Sequence, residues 1–328
     1  MFRFQNQPVG RPLVRMVCAL ALCVGAGTHM ARAADAVGDD RLPVVASFSI
    51  LADIVREVGG DDIRLDVLVG PMRDAHTFEP TPKDARVLGQ ARVLVVNGLG
   101  FESWMPRLVE ASGFKGLTIT ASRGVKPRHL DEEDEGEVHD HGGHADHDHG
   151  HGDTDPHAWQ NLANGVIYAR NIAQGLSDAD PAHATAYQAR AEAYVRTLKK
   201  ADADWRRELA AIPEDRRVLA TSHDAFGYFS DAYGIEVLSV VGLSSEAEPS
   251  ARTMAELIQR IREHHIRALF LEQGGNTRAL EQIADETGVK PGGTLYADTL
   301  EAPGHAVSTY LGMFRWNTRQ LLQAFQAP

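Results

Sequence analysis

The sequence predicts an α/β protein with two lobes of parallel sheet, flanked by helices and joined by one long rigid helix. Apolar strand-like stretches alternate with helical stretches over residues 42–120, and the same alternation, typical of parallel sheets, resumes after residue 213. Between these regions, residues 182–211 contain neither Gly nor Pro and carry apolar or small residues at helical spacing. At a rise of 1.5 Å per residue such a helix is roughly 45 Å long, enough to connect two lobes.

The amino terminus has the pattern of an export signal. Arginines precede a short apolar run at residues 16–27, which is followed by a small-x-small site at residues 31–33. We therefore predict a signal peptide over residues 1–33 and a periplasmic mature protein. Both cysteines, Cys18 and Cys23, lie inside it. Lipid attachment at Cys23 is the alternative, although Leu22 before it is not a small residue.

The composition indicates which kinds of partner the protein has and what stabilises its fold. Once the peptide is removed the chain has no cysteine, so a large core rather than disulfides must stabilise it. The formal net charge is −12 and no basic patch is evident, so we expect neither nucleic acid nor anionic lipid as a partner. We expect a monomer with an amino-terminal lobe at residues 34–179, a connecting helix at 180–212 and a carboxy-terminal lobe at 213–328.

The first lobe is predicted to contain four strands. They are apolar or alternate in polarity, and they lie at residues 42–48, 63–69, 92–97 and 117–120. Ser49 is positioned to cap a helix through Val58, and Thr81 followed by Pro82 resembles the cap and first turn of another. A third helix is expected around Trp104.

The second lobe repeats this order without close sequence similarity to the first. Strands are predicted at residues 217–221, 235–241, 268–272 and 294–297. Helices are predicted at residues 223–233, 251–264, 277–287 and 305–325.

A His-rich acidic segment interrupts the first lobe. Residues 131–155 contain eleven carboxylates and no Lys or Arg, so we expect residues 131–153 to form a disordered loop. The segment also contains six histidines: His139, His141, His144, His147, His149 and His151. Such tracts are typical of metal binding, and we predict that these residues bind metal as an auxiliary site. A solvated linker without metal is the alternative.

Four other side chains are candidates for a metal site between the lobes. His76, His157, His223 and Asp298 each follow a predicted strand, two in each lobe, and ligands of open parallel sheets bind beyond the carboxyl ends of strands. Three imidazoles and one carboxylate suit tetrahedral Zn²⁺, whereas Mn²⁺ prefers more oxygen ligands. The residues alone leave the fourth ligand open, and the competing side chains are Glu79, Asp224 and Glu272.

Two of these histidines are predicted to lie at the start of a helix. Asp155 and Ser222 are plausible N-caps, which would place His157 and His223 in the first turn of a helix. The positive end of the helix dipole disfavours imidazolium there, so we expect both rings to be neutral and ready to bind metal.

Four ordered motifs also resemble a known family, the periplasmic zinc-binding proteins of ABC transporters. The motifs are DAHTFEPTP at residues 74–82, NGLGFE at 97–102, DPHAW at 155–159 and SHDAFGYF at 222–229. The resemblance covers essentially residues 42–328. It implies two α/β lobes joined by one long helix, with metal held between them for delivery to a membrane permease. It also implies His76, His157, His223 and Asp298 as ligands, the last from the segment at 296–300.

Two features of the resemblance bear on the metal. In manganese-type relatives the position of His223 is typically a glutamate, so histidine there favours zinc. The fourth ligand varies in the family, and some members use water or a glutamate. In this chain Glu79 would supply such a glutamate. The His-rich segment resembles the loop of the zinc branch, but its role does not follow from the likeness.

The sequence therefore favours a high-affinity receptor that captures Zn²⁺ and delivers it to an ABC transporter permease. A periplasmic zinc buffer or metallochaperone is the alternative, and such a metallochaperone is also a conceivable partner. A manganese receptor and a secreted zinc hydrolase are the remaining candidates. Against a hydrolase, no H-E-x-x-H motif occurs and Asp298 would fill the position that water needs.

Overall fold

The computed structural model describes residues 39–129, 154–241, 250–263, 266, 268–273 and 278–326. The predicted signal peptide, both cysteines and the six histidines of the His-rich segment lie outside these residues. Among the helices that the described residues form, none is long and apolar enough to cross a bilayer.

The first half alternates strands and helices as predicted. Its elements are β1 (Leu42–Phe48), α1 (Ser49–Gly59), β2 (Ile63–Val69), α2 (Pro82–Gly89), β3 (Val93–Val96), α3 (Met105–Ser112), β4 (Leu117–Thr120) and α4 (Leu162–Ala179). The four strands form a parallel sheet in the order β2-β1-β3-β4. Pro82 occupies the start of α2, and the Asp84 carboxylate accepts a 2.7 Å hydrogen bond from the backbone N–H of Thr81, as expected for a capped start.

The second half begins with a long helix and repeats the same strand order. Its elements are α5 (Ala184–Ala210), β5 (Val218–His223), α6 (Gly227–Tyr233), β6 (Glu236–Val241), α7 (Ala251–Glu263), β7 (Leu269–Glu272), α8 (Arg278–Thr287), β8 (Pro291–Leu295) and α9 (Tyr310–Gln326). Its strands form a second parallel sheet in the order β6-β5-β7-β8. The predicted fold class, two parallel sheets flanked by helices, is confirmed.

Helix α5 is the predicted long connecting helix, and it contacts elements of both halves. It packs against α1 and α4 of the first half and against α6 and α9 of the second. Trp205 of α5 stacks on Phe314 of α9, with ring centroids 5.2 Å apart. The described residues from Arg41 onward form one compact unit, so the lobe boundaries at 179 and 212 stay a prediction.

Apolar packing runs continuously through the middle of this unit. One buried cluster includes Phe48 and Trp159 from the first half together with Phe229 and Phe314 from the second. A smaller cluster lies beneath α7 and α8. At about 25 cal/mol per Å² of apolar surface removed from water, burial on this scale explains how the described residues, which include no cysteine, fold without a disulfide.

Three predicted N-cap roles are wrong. Ser49 does not cap α1, because its hydroxyl accepts a hydrogen bond from the backbone N–H of Leu300. Asp155 does not begin a helix, since α4 begins at Leu162 with Asn161 as its cap. Ser222 does not cap α6, because β5 continues to His223 and the Ser222 hydroxyl donates a hydrogen bond to Glu272. The Ser49 and Ser222 hydroxyls bond to residues distant in sequence, whereas the Asp155 carboxylate bonds to His157, two residues on.

Asp53 provides a testable link between α1 and the start of α9. Its buried carboxylate accepts a 2.8 Å hydrogen bond from the backbone N–H of Tyr310. Burial raises the pKa of Asp53 from 3.8 to about 6 despite that hydrogen bond, and the charge of Glu57 adds to the rise. The folded state therefore holds the proton more tightly than the unfolded chain, and this stabilisation is lost as the pH rises through 6.

We expect Asp53→Asn to stabilise the protein at high pH only. Near pH 4 the mutant and wild type should unfold with similar free energy. At pH 8 the mutant should gain about 2–3 kcal/mol, because asparagine keeps the acceptor without a buried charge. Urea unfolding of the metal-free protein at both pH values measures the difference, with Asp66→Asn on the exposed side of β2 as the control. A Asp53→Asn effect that does not change with pH would contradict the prediction.

Candidate metal centre

Four side chains from loops and strand ends of both sheets converge on one point. His76 follows β2, His157 follows β4, His223 ends β5 and Asp298 follows β8. One potential ligand atom from each lies within 4.8 Å of the others. The four residues singled out from the sequence are therefore brought together, and among the described residues they are the one group found with this geometry.

The potential ligand atoms of these four side chains lie close to one another. Nε2 of His76 is 3.1 Å from Nε2 of His157, and Nε2 of His223 is 2.9 Å from Oδ2 of Asp298. Oδ2 of Asp298 is also 3.5 Å from Nε2 of His76. Oδ1 of Asp298 is buried and has no hydrogen-bond partner among the described residues. A cation at this point would satisfy that orphaned oxygen and the three imidazole nitrogens together.

The other ring nitrogen of His157 is held by Asp155. Oδ1 of Asp155 lies 2.8 Å from Nδ1 of His157 and accepts a 2.9 Å hydrogen bond from its backbone N–H. Both side chains are fully buried. Because a carboxylate can only accept, the proton resides on Nδ1 and leaves the Nε2 lone pair facing the convergent point.

His223 has a matching partner in Glu272, the last residue of β7. Oε2 of Glu272 lies 2.5 Å from Nδ1 of His223, and Oε1 accepts hydrogen bonds from the His223 backbone N–H at 3.0 Å and from the Ser222 hydroxyl at 2.7 Å. Glu272 therefore contacts the side of the ring that points away from Asp298. The Nδ1–Oε2 contact is an ion pair, since neither atom has a hydrogen-bond partner among the described residues. The carboxylate occupies the position from which carboxylates commonly orient metal-bound histidine.

These contacts correct the predicted electrostatics. Burial alone would lower the pKa of His223, but the negative charges of Glu272 and Asp298 raise it well above its ordinary value. Burial would likewise raise the pKa of Asp298, but His223 and His157 hold it well below its ordinary range. The expectation that a helix dipole keeps His223 neutral is therefore wrong, since His223 ends β5 and two carboxylates flank its ring. His157 also lies outside the first turn of an α-helix.

Aromatic rings form one wall of the centre. The ring of His76 meets Phe101 edge-on at 4.7 Å between centroids, and His157 meets Trp159 at 5.2 Å. Phe48 packs on both Phe101 and Trp159. His157 and His223 are almost fully buried, whereas the side chain of His76 is 12% exposed. Such walls exclude water and lower the local dielectric, which strengthens binding to charge.

Backbone contacts tie the segments from the two halves together. The Trp159 and Gln160 side chains both donate to the carbonyl oxygen of Ala297, at 2.9 and 2.7 Å, beside Asp298. The backbone N–H of Met72, in the loop that leads to His76, lies 2.8 Å from the Thr299 hydroxyl and 3.1 Å from the Leu300 carbonyl oxygen. These bonds hold the ligand-bearing loops in register across the junction.

The competing candidates for the fourth position lie elsewhere. Glu79 is exposed, and Glu272 faces the far side of His223. Asp224 is not part of the convergent group, and burial followed by the charge of Asp155 raises its pKa. Sequence reasoning missed the orienting roles of Asp155 and Glu272; the D-x-H spacing was the available signal for the first, and local sequence offered none for the second.

Comparisons with known proteins agree with this arrangement. The sequence profile of a family described as the periplasmic component A of a zinc-uptake complex matches residues 44–324. The metal ABC transporter substrate-binding lipoprotein SloC of Streptococcus mutans is 30% identical over 93% of this chain and 95% of its own. The manganese ABC transporter substrate-binding lipoprotein PsaA of Streptococcus pneumoniae is 29% identical over 87% of this chain and 89% of its own.

A solved structure is similar over nearly the whole described chain. The periplasmic zinc-binding protein TroA from Treponema pallidum superposes with a TM-score of 0.77 at 29% identity, covering 88% of this chain and 100% of that one. Proteins of similar sequence and fold are thus named for manganese in one case and zinc in another.

Proposed function

This chain belongs to the family of periplasmic zinc-uptake components, which are substrate-binding receptors of ABC transporters, and we propose that the metal it captures is Zn²⁺. The proposed ligands are Nε2 of His76, His157 and His223 and a carboxylate oxygen of Asp298. The observation that carries the proposal is that these atoms lie within 4.8 Å of one another, at the junction of the two halves. The ion is cargo, and the receptor hands it to a membrane permease.

The donor set supports zinc over manganese. Relatives named for different metals share the fold, so family membership alone leaves the ion open. Three imidazoles and one carboxylate make a nitrogen-rich tetrahedral set, which suits Zn²⁺, whereas Mn²⁺ favours carboxylate and water oxygens. The carboxylates of Asp155 and Glu272 behind two of the rings increase the basicity of the imidazoles, which favours tight binding.

Asp298 is the proposed fourth ligand rather than water or Glu79. Its buried Oδ1 lacks a hydrogen-bond partner among the described residues, while Glu79 is exposed. With four protein ligands, a bound zinc would have no open position for water. Members of the family are receptors rather than enzymes, so the zinc hydrolase considered from the sequence is set aside.

The receptor acts outside the cytoplasm, as its relatives do. We propose export by the peptide at residues 1–33 and action as a monomer. A lipid anchor on Cys23 is the alternative, and the streptococcal relatives carry the name lipoprotein. The histidines of residues 139–151 are proposed as an auxiliary site that collects zinc, with transfer to a periplasmic metallochaperone as a further route.

Zinc uptake by cells distinguishes a transport receptor from a periplasmic zinc buffer. Strains lacking this protein, its permease or both should take up chelator-limited zinc equally poorly, because receptor and permease act in one pathway. A His223→Ala receptor should fail to restore uptake, and His305→Ala, which alters an exposed histidine, should restore it. Uptake that depends on the permease but not on this protein would support the buffer instead.

A further inference from the structure

Arg128 lies where the His-rich segment leaves the folded chain. The next residue, His129, forms an isolated antiparallel bridge with Thr154, so the two ends of residues 130–153 meet. The backbone N–H of Arg128 donates to the Tyr228 hydroxyl at 2.9 Å, and its carbonyl oxygen accepts from the Asp155 N–H at 2.9 Å. Arg128 is therefore attached through its backbone to both halves, since Tyr228 belongs to α6.

The guanidinium of Arg128 lies between two carboxylates. Its Nη1 is 3.5 Å from Oδ2 of Asp155, which is fully buried, and its Nε is 3.5 Å from Oδ2 of Asp231 on α6. Nη1 of Arg128 and Oδ2 of Asp155 are buried and have no hydrogen-bond partner among the described residues, so their contact is an ion pair; the Arg128 side chain as a whole is 22% exposed. One cation thus neutralises an interior charge of the first half and a surface charge of the second.

Gly227, the first residue of α6, leaves the space that this guanidinium occupies. A Cβ atom built on Gly227 would lie 2.5 Å from both Cζ and Nη1 of Arg128. Alanine would otherwise favour the helix by up to about 1 kcal/mol. The helix start is therefore shaped to receive the arginine at some cost in helix propensity.

Asp155 connects this arginine to the metal centre. Its Oδ1 contacts Nδ1 of His157, and its Oδ2 faces Arg128, so the two oxygens are shared between the imidazole and the guanidinium. We propose that Arg128 is a positioning residue that fixes the Asp155 carboxylate, and through it the imidazole of His157, while linking this orientation to α6 of the other half.

The physical reason is the cost of an unpaired buried charge. Without Arg128, Oδ2 of Asp155 would remain in the interior with no cationic partner, and the carboxylate would be held only through the two contacts of Oδ1 with His157. His157 would then be held less firmly with Nε2 toward the ion. Because Asp231 and Tyr228 follow His223 closely in the chain, Arg128 also couples the position of α6 to His157. This role rests on the proposed function.

Zinc affinity, measured by competition with a chelator on the full mature chain, tests the proposal. We expect Arg128→Ala to weaken zinc binding about tenfold, and Asp155→Asn by about 10–100-fold, as for other partners of metal-bound histidine. Arg128→Lys should restore only part of the loss, because an ammonium cannot present the planar fork. Lys126→Ala removes an exposed positive charge two residues away and should leave the affinity unchanged.

A double-mutant cycle separates positioning from general structural support. If Arg128 acts through Asp155, adding Arg128→Ala to Asp155→Asn should cause no further loss of affinity. The visible spectrum of bound Co²⁺ should change alike in both single variants, since it reports ligand geometry. Urea unfolding of the metal-free variants shows whether each is folded, and the comparison uses those that are.

Gly227→Ala tests the same contact by placing a methyl group where the Arg128 guanidinium lies. It should weaken zinc binding when Arg128 is present and have no effect in the Arg128→Ala protein. The proposal is overturned if Arg128→Ala binds zinc as tightly as wild type, or if its effect adds to that of Asp155→Asn. If His223→Ala also leaves zinc affinity unchanged, the proposed function itself fails; if His223→Ala weakens binding and Arg128→Ala does not, only the positioning role fails.

Discussion

We expect the replacement of His223 by alanine to lower zinc affinity by more than about a hundredfold. Four-ligand zinc sites bind with about 10–16 kcal/mol, so one ligand contributes roughly 3 kcal/mol, or over a hundredfold in Kd. His223 also lies between two buried carboxylates: its Nε2 is 2.9 Å from Asp298 and its Nδ1 2.5 Å from Glu272. Alanine leaves both without their shared partner.

Calorimetric titration of the metal-free protein with Zn²⁺ measures this effect. The matched variant replaces residues 130–153 by Asn-Gly, a two-residue turn that can keep the bridge between His129 and Thr154 intact. We expect one tight site to survive this replacement, because none of the four proposed ligands lies in the removed segment. His305→Ala, at an exposed position, should bind as wild type does.

The opposite pattern would favour a different function. If tight binding disappeared with residues 130–153 and were insensitive to His223→Ala, the histidines of the segment would be the main site. The protein would then act as a zinc buffer rather than as a receptor whose cargo lies between its halves.

We expect His223→Glu combined with Glu272→Gln to shift the preference from zinc toward manganese. The substitution turns a set with three nitrogens into one with two nitrogens and two carboxylates, which Mn²⁺ favours more. We expect the ratio of zinc to manganese affinity to fall by about a hundredfold or more. Parallel titrations with Zn²⁺ and Mn²⁺ give this ratio directly.

The second substitution is required by the geometry behind the ring. A glutamate at position 223 would lie beside Glu272, which is 3% exposed, and near Asp298, so three carboxylates would share one buried site. Glutamine at 272 removes one charge and supplies an N–H donor to the new carboxylate. His223→Glu alone should therefore destabilise the metal-free protein, and Glu272→Gln alone should keep the zinc preference. An unchanged metal ratio in the double variant would show that His223 does not determine the preference.

Regular elements were largely predictable because each is specified locally. Strand β1 was predicted at residues 42–48, where it occurs, and the long helix predicted at 182–211 spans Ala184–Ala210. Apolar periodicity and the absence of Gly and Pro are properties of the segment itself. The strand predicted at 294–297 lies instead at Pro291–Leu295, because Gly292 and Gly293 mask the strand signal while pairing with β7 sets the boundary.

The convergence of His76, His157, His223 and Asp298 was also predictable, since parallel strands bring the loops that follow them to one edge. Their partners were not. Asp155 looked like a helix cap and Glu272 like a competing ligand, because a carboxylate has several possible partners within a few ångströms and only the fold selects one.

The sequence by itself determined the order of strands and helices, the export signal that we predict, and the residue types that suit zinc, because these depend on neighbours along the chain. Only the tertiary structure decided which side of each imidazole faces the proposed ion and which residues orient it. Those choices depend on contacts between residues far apart in sequence, such as Glu272 with His223 and Arg128 with Asp155 and Asp231. Burial makes an unpaired charge costly, so Asp155 and Glu272 lie beside Arg128 and the imidazoles, and these contacts orient the rings of the site.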